Sequence, residues 1–207
     1  MSASASAGGS GPALIGLTGG IAAGKSETLR LLSELGAETL STDAVVHELL
    51  ASGEVATVLI DRWGDRVTHA DGSLDRGRIA GIVFEDPDEL TWLESVLHPR
   101  VGVRVAEWRA ALPAGLDVAV VEVPLLFEGR MHEMFDATIA VIADDVVRTE
   151  RASARGTDQL EGRHSRQLPQ HEKAARATFV VLNNGHIDEL EAELRKLYPK
   201  LAESRRG

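Results

Sequence analysis

The chain has 207 residues, 43% hydrophobic and 26% charged, with a formal net charge of −10 and no cysteine. That length fits one compact α/β domain with insertions. The acidity excludes nucleic acid or an anionic membrane as principal partner, because both demand a basic surface, and the lack of thiols excludes disulfides, thiolate metal sites and a cysteine nucleophile. No apolar run approaches the about 20 residues of a membrane span. Residues 1–12 are Ser/Ala/Gly-rich without a basic or apolar signal region and read as a disordered tail, so the expected location is cytoplasmic.

An apolar run, Ala13 to Leu17, predicts the first strand, and Thr18 to Ser26 reads TGGIAAGKS, with Gly19, Gly24, Lys25 and Ser26 in the spacing G-x-x-x-x-G-K-[ST]. This is a phosphate-binding loop. Its glycines let successive amides cradle phosphate oxygens, Lys25 reaches the β- and γ-phosphates, and the Ser26 hydroxyl suits Mg²⁺. Leu29, Leu31, Leu32 and Leu35 follow at helical spacing up to a stop at Gly36. Glu38 to Ser41 predicts a second strand, with Thr42 or Asp43 capping the helix after it. At the carboxyl end of a strand, where ligands of such sheets collect, Asp43 reads as a proton acceptor, as a Mg²⁺ ligand through water, or as a plain cap.

Residues from about 54 to 112 form a helical insertion. Helical patterns at Val55 to Trp63 and Ile79 to Phe84 flank an Asp71-Gly72 turn, Asp86-Pro87 opens a further helix that Pro99 is expected to interrupt, and another runs from Val101 to Leu112. Arg76, His98 and Arg100 are its polar candidates. Val118 to Val123 and Thr138 to Ile142 read as buried parallel strands. From about 145 to 176 the balance turns basic: Arg148 to Arg176 holds seven Arg/Lys against four Asp/Glu, with Arg148, Arg151 and Arg155 on one helical face. Such a hairpin reads as a lid closing over triphosphate, or as a solvated charged face. Phe179 to Leu182 predicts the last strand, Asn183-Asn184-Gly185 a turn beside a base pocket, and Asp188 to Leu197 a closing helix stopped by Pro199. The expected fold is α/β of the P-loop NTPase type: a three-layer domain over residues 13–207 with a parallel sheet, a helical substrate-binding insertion and a helical lid.

Taken in order, the loop, Asp43, Asp71 to Arg76 with Val83-Phe84, Leu97-His98-Pro99, Val123 to Glu128 and Asn183-Asn184-Gly185 resemble the dephospho-CoA kinases, colinear from about Ile15 to Gly185. The resemblance implies transfer of the ATP γ-phosphoryl group to the ribose 3′-hydroxyl of dephospho-CoA, with Mg²⁺, in a monomer or small homo-oligomer. It also implies residue roles. Asp43, Lys25 and Arg155 carry catalysis. Gly19, Gly20, Ala22, Ala23, Gly24, Lys25, Ser26, Glu27, Arg151, Arg163, Asn183 and Gly185 bind ATP, Ser26 being the metal ligand. Asp43, Arg76, His98, Arg100 and Glu128 meet the acceptor, and Gln167 and Lys173 fall in the lid. The chain departs from the family at Ser41, where an acid is common, at Ala22-Ala23 in place of Gly-Ser, at Glu27 in place of Ser or Thr, and at Leu182 in place of Asp. The alanines are compatible with phosphate binding provided neither needs a positive φ. The rival expectations are a nucleoside or nucleotide kinase, a non-catalytic GTPase-like switch, which the missing N-K-x-D run weakens, and an assembly factor that has lost catalysis.

Overall fold

A computed structural model of the chain, which describes residues 11–154 and 167–205, pairs five strands in parallel in the order β2-β3-β1-β4-β5. They are β1 (Ala13–Gly19), β2 (Glu38–Ser41), β3 (Val118–Glu122), β4 (Ala137–Ile142) and β5 (Phe179–Leu182). The central strands are continuously apolar because helices cover both their faces, as a parallel sheet requires. The described residues divide into two compact units, one of the chain up to Ser41 with Leu112 onward, the other Thr42–Ala111.

In the sheet unit, α1 (Lys25–Glu34) and the terminal α8 (Ile187–Ala202) bring Leu31, Leu32, Leu190, Leu194 and Leu201 against Ile15, Leu17, Val120, Ile139 and Val181 on one face. The opposite face is closed by α7 (Gln170–Arg176), which packs on β1 and β4, and by Leu126 and Phe135, whose side chains crowd the position where Gly16 lacks one. The remaining helix of this unit, α6 (Asp145–Ala154), follows β4. Pro199 does not stop α8, which runs on to Ala202. Leu201 beyond it is fully buried, and that burial offsets the proline's lost hydrogen bond.

The second unit holds α2 (Thr42–Ala51), α3 (Gly53–Trp63), α4 (Arg76–Glu85) and α5 (Pro87–Ala110). It begins earlier than residue 54 because α2 packs on α3 and α5. Asp75 caps α4 through Gly77 N at 2.9 Å and Arg78 N at 3.1 Å, and Asp86 caps α5 through Asp88 N at 2.9 Å. Pro99 does not divide the helix either: α5 is continuous over 24 residues. The Arg100 guanidinium donates to the Val96 carbonyl at 2.8 Å while pairing with Glu54 at 2.7 Å, and the buried Leu93, Leu97 and Val101 hold the helix down on both sides of the proline.

Core packing gives the first expectation. Leu194→Ala, at a fully buried position facing the sheet, lowers the urea unfolding free energy by about 2–5 kcal/mol, whereas the exposed Val180→Ala on β5 changes it by about 0.5 kcal/mol or less.

Candidate active site

The loop between β1 and α1 takes its shape from two close approaches. A side chain at Gly19 would place Cβ 2.3 Å from the Val141 carbonyl oxygen, so only glycine lets β1 leave the sheet there. Gly24 has φ +99° and lies against the Asn183 amide, 2.1 Å from where a Cβ would sit. Ala22 also adopts a positive φ, +58°, so the proviso on the two alanines fails at Ala22 and holds at Ala23. For an L residue this region costs about 1–2 kcal/mol, and it persists only where surrounding contacts impose it.

Those contacts fall on the loop's carbonyls. Lys25 Nζ donates to Gly20 O at 3.1 Å and Gly19 O at 3.4 Å. Arg148 Nε on α6 donates to Ile21 O at 2.9 Å. Asn183 Nδ2, just past β5, donates to Ala23 O at 2.9 Å. In a trans peptide the N–H points opposite the C=O, so a carbonyl held on the outer side turns the next residue's amide the other way. The Ala23 amide, for its part, closes a turn onto Gly20 O at 3.3 Å. Ser26 stands exposed in the first turn of α1, where helix N-termini favour anions. The Glu27 carboxylate is taken by Arg30, Nη2 to Oε1 at 2.5 Å, and is thereby tied into its own helix.

Beneath the loop lies a buried charge pair. Lys173 on α7 is completely buried, and its ammonium donates to Pro124 O at 2.6 Å and Thr18 Oγ1 at 3.4 Å and pairs with Glu128 Oε1 at 3.1 Å. The same Glu128 oxygen accepts from Leu168 N at 2.8 Å. Burial pushes the Lys173 pKa below its ordinary value, with Glu128 acting in the opposite sense. Gln170, one turn earlier, bonds Ala143 at both ends, N at 3.2 Å and O at 2.7 Å.

This loop, strand order and helical unit now bear comparison with known proteins. Residues 13–189 match the family model described as dephospho-CoA kinase. This chain belongs to the dephospho-CoA kinase family. It is 41% identical over 187 residues to the dephospho-CoA kinase of Deinococcus radiodurans, covering 88% of this chain and 89% of that one. To the enzyme of that name from Moorella thermoacetica it is 39% identical over 196 residues, covering 91% and 92%. Among solved structures, one from Thermus thermophilus superposes with a TM-score of 0.80 at 34% identity over 92% of this chain and 98% of its own. The Campylobacter jejuni dephospho-CoA kinase shares the fold with a TM-score of 0.64 at 22% identity, covering 92% of this chain and 97% of its own.

The family candidates divide by environment. Asp43 is the second residue of α2 and exposed, and His98 is exposed midway along α5. Arg76 opens α4 with its guanidinium against His47, one helical turn beyond Asp43 on α2, a neighbour that sequence reading missed. Arg100 is engaged by Glu54 and Val96, and Glu128 by Lys173 and Leu168. Asn183, expected in the base turn, commits its side chain to the loop and its carbonyl to Arg151 Nη1 at 2.9 Å, while Gly185 is exposed with the Glu189 carboxylate over it. Lys173 is a buried tie rather than a lid cation, because all three of its protons have partners within the protein. Arg155 and Arg163 lie outside the described residues.

Removing one partner of a buried pair strands the other, so Lys173→Met destabilises the protein by about 3–5 kcal/mol in denaturant titrations, and adding Glu128→Met recovers most of the loss. A depressed lysine pKa also fixes a sign. Between the lowered value and the ordinary 10.5 the unfolded chain holds a proton that the folded chain does not, so this group's contribution to stability rises with pH there. The wild type therefore shows a steeper rise of unfolding free energy with pH in that interval than the double variant.

Proposed function

We propose that this chain transfers the γ-phosphoryl group of ATP to the ribose 3′-hydroxyl of dephospho-CoA, releasing coenzyme A and ADP. The observation that carries the reading is the loop just described, complete in sequence and braced at the Ile21 and Ala23 carbonyls, in a chain that matches the dephospho-CoA kinase model over residues 13–189. Phosphoryl transfer asks the protein for position and charge rather than covalent chemistry. Loop amides and Lys25 hold the β- and γ-phosphates, Lys25 exchanging its two carbonyl bonds for phosphate oxygens. Asp43, exposed and carried at the start of a helix, accepts the proton of the attacking hydroxyl. Arg151, Arg155 and Arg163 neutralise charge developing on the transferred group, Gly185 lies beside the base, and Asn183 acts on the nucleotide through the loop it braces. Arg76, His98, Arg100 and Glu128 belong to the acceptor side, and Thr42–Ala111 is read as the acceptor-binding insertion.

Mg²⁺ fits these donors. The Ser26 hydroxyl is exposed at the head of α1, which suits an ion held mainly by phosphate oxygens and water with one protein group. When bound, it draws off phosphate charge. No described helix is long and apolar enough to cross a membrane, and the enzyme is read as cytoplasmic, a monomer or small homo-oligomer acting on small molecules.

The test is ADP release with dephospho-CoA against release with none and with a panel of nucleosides and nucleotides. Strong stimulation by dephospho-CoA alone is expected, and equal or greater stimulation by a nucleoside or nucleotide would assign a different acceptor. Asp43→Asn lowers kcat about 10²- to 10⁴-fold with KM for dephospho-CoA little changed. Lys25→Ala abolishes transfer while the circular dichroism spectrum stays native.

A further inference from the structure

Arg148 is not among the motif residues on which the resemblance rests, and on sequence it is one cation of a charged helix face. In the structure its side chain is only 20% exposed and packs against the phosphate loop. Nε donates to Ile21 O at 2.9 Å, Nη1 is held by Asp145 Oδ1 at 2.8 Å one turn earlier on α6, and the guanidinium lies 3.4 Å from where a side chain on Gly20 would begin. The bonded carbonyl is that of the peptide unit joining Ile21 to Ala22, and Ala22 is the non-glycine residue of the loop with a left-handed backbone, φ +58°.

These facts concern one bond. The φ of Ala22 is rotation about its N–Cα bond, so returning Ala22 to a negative φ swings either the Ile21–Ala22 peptide plane or the chain beyond it. The chain beyond is fixed, because Ala23 O is bonded to Asn183 and Ala23 is buried. Relaxation must therefore flip the Ile21–Ala22 plane, breaking the Arg148 bond and turning the Ala22 amide away from the side on which phosphate is held. A glycine at this position has no such drive.

We propose that Arg148 is a positioning residue for the nucleotide: it clamps the Ile21 carbonyl so that Ala22 stays left-handed and its amide stays directed at the triphosphate, compensating in this chain for an alanine at a backbone position that favours glycine. The proposal rests on reading the loop as the ATP site, and the wild-type response to dephospho-CoA tests that reading separately.

The clamp acts through Nε, and the glutamine side chain places its Nε2 the same number of bonds from Cα. Arg148→Gln thus retains a donor near Ile21 O while removing the charge, and Arg148→Ala removes both. Steady-state kinetics with ATP and dephospho-CoA on the full chain read the outcome, with melting temperatures confirming that each variant is folded. Arg148→Ala raises KM for ATP about tenfold, the effect of losing one charge-assisted bond, with kcat and KM for dephospho-CoA little changed. Arg148→Gln stays within about threefold of wild type, since a neutral bond replaces the charged one. The decisive variant is Ala22→Gly/Arg148→Ala: measured against Ala22→Gly alone, loss of Arg148 costs less than about threefold in KM, because glycine removes the strain that the clamp opposes. Three results overturn the proposal. They are an unchanged KM in Arg148→Ala, a loss in Arg148→Gln as large as in Arg148→Ala, which assigns the charge a direct role on phosphate, and an undiminished penalty in the Ala22→Gly background, which makes Arg148 an ordinary packing residue of α6.

Discussion

A peptide plane presents a donor on one side and an acceptor on the other, and a loop that offers amides to a ligand must dispose of its carbonyls. In this chain the carbonyls of Ile21 and Ala23 are held by Arg148 from α6 and Asn183 from the end of β5, while Lys25 from the helix that follows bonds those of Gly19 and Gly20. Much else in the sheet unit is arranged to deliver those donors. β4 brings α6 alongside, β5 pairs on β4 through Ile139 to Ile142, and Arg151 bonds Asn183, joining α6 to the end of β5.

A second layer of polar ties fixes the ground on which the loop stands. Thr18, the residue before the glycines, donates to Pro124 O at 3.1 Å, and Lys173 bonds that same carbonyl. The strand that begins the loop, the segment leaving β3 and the helix α7 are thereby pinned at one point. A buried ammonium is a poor choice for stability alone, since apolar residues of similar volume often do as well. What it supplies here is a fixed geometry, with its protons directed at Thr18, Pro124 and Glu128.

How far the sequence discloses this depends on whether a feature is local. Glycine spacing, the apolar strands, the helix opening at Asp86-Pro87 and the helical period of the insertion are written in neighbouring residues, and the fold and family are legible from them. The two prolines mislead because burial beyond them outweighs the local rule against proline in helices: Leu97 and Val101 are buried on either side of Pro99, and Leu201 is buried past Pro199. Arg148 and Lys173 are visible in the sequence only as positive charge, because what distinguishes them is a partner more than a hundred residues away. The motif around Asn183 marks it as important and points it at the nucleotide, whereas its side chain is spent on Ala23. The left-handed Ala22 leaves a faint signal, an alanine inside a glycine-rich loop, and its compensation leaves none.

The separation of these partners along the chain has a consequence for synthesis. Ile21 and Arg148 are 127 positions apart, and Ala23 and Asn183 are 160 apart. The glycine-rich loop is therefore synthesised well before the groups that fix its carbonyls, so it emerges with its composition complete and two of its carbonyls unheld until α6 and β5 have followed it. The shape of this local motif thus waits on the strand that closes the edge of the sheet.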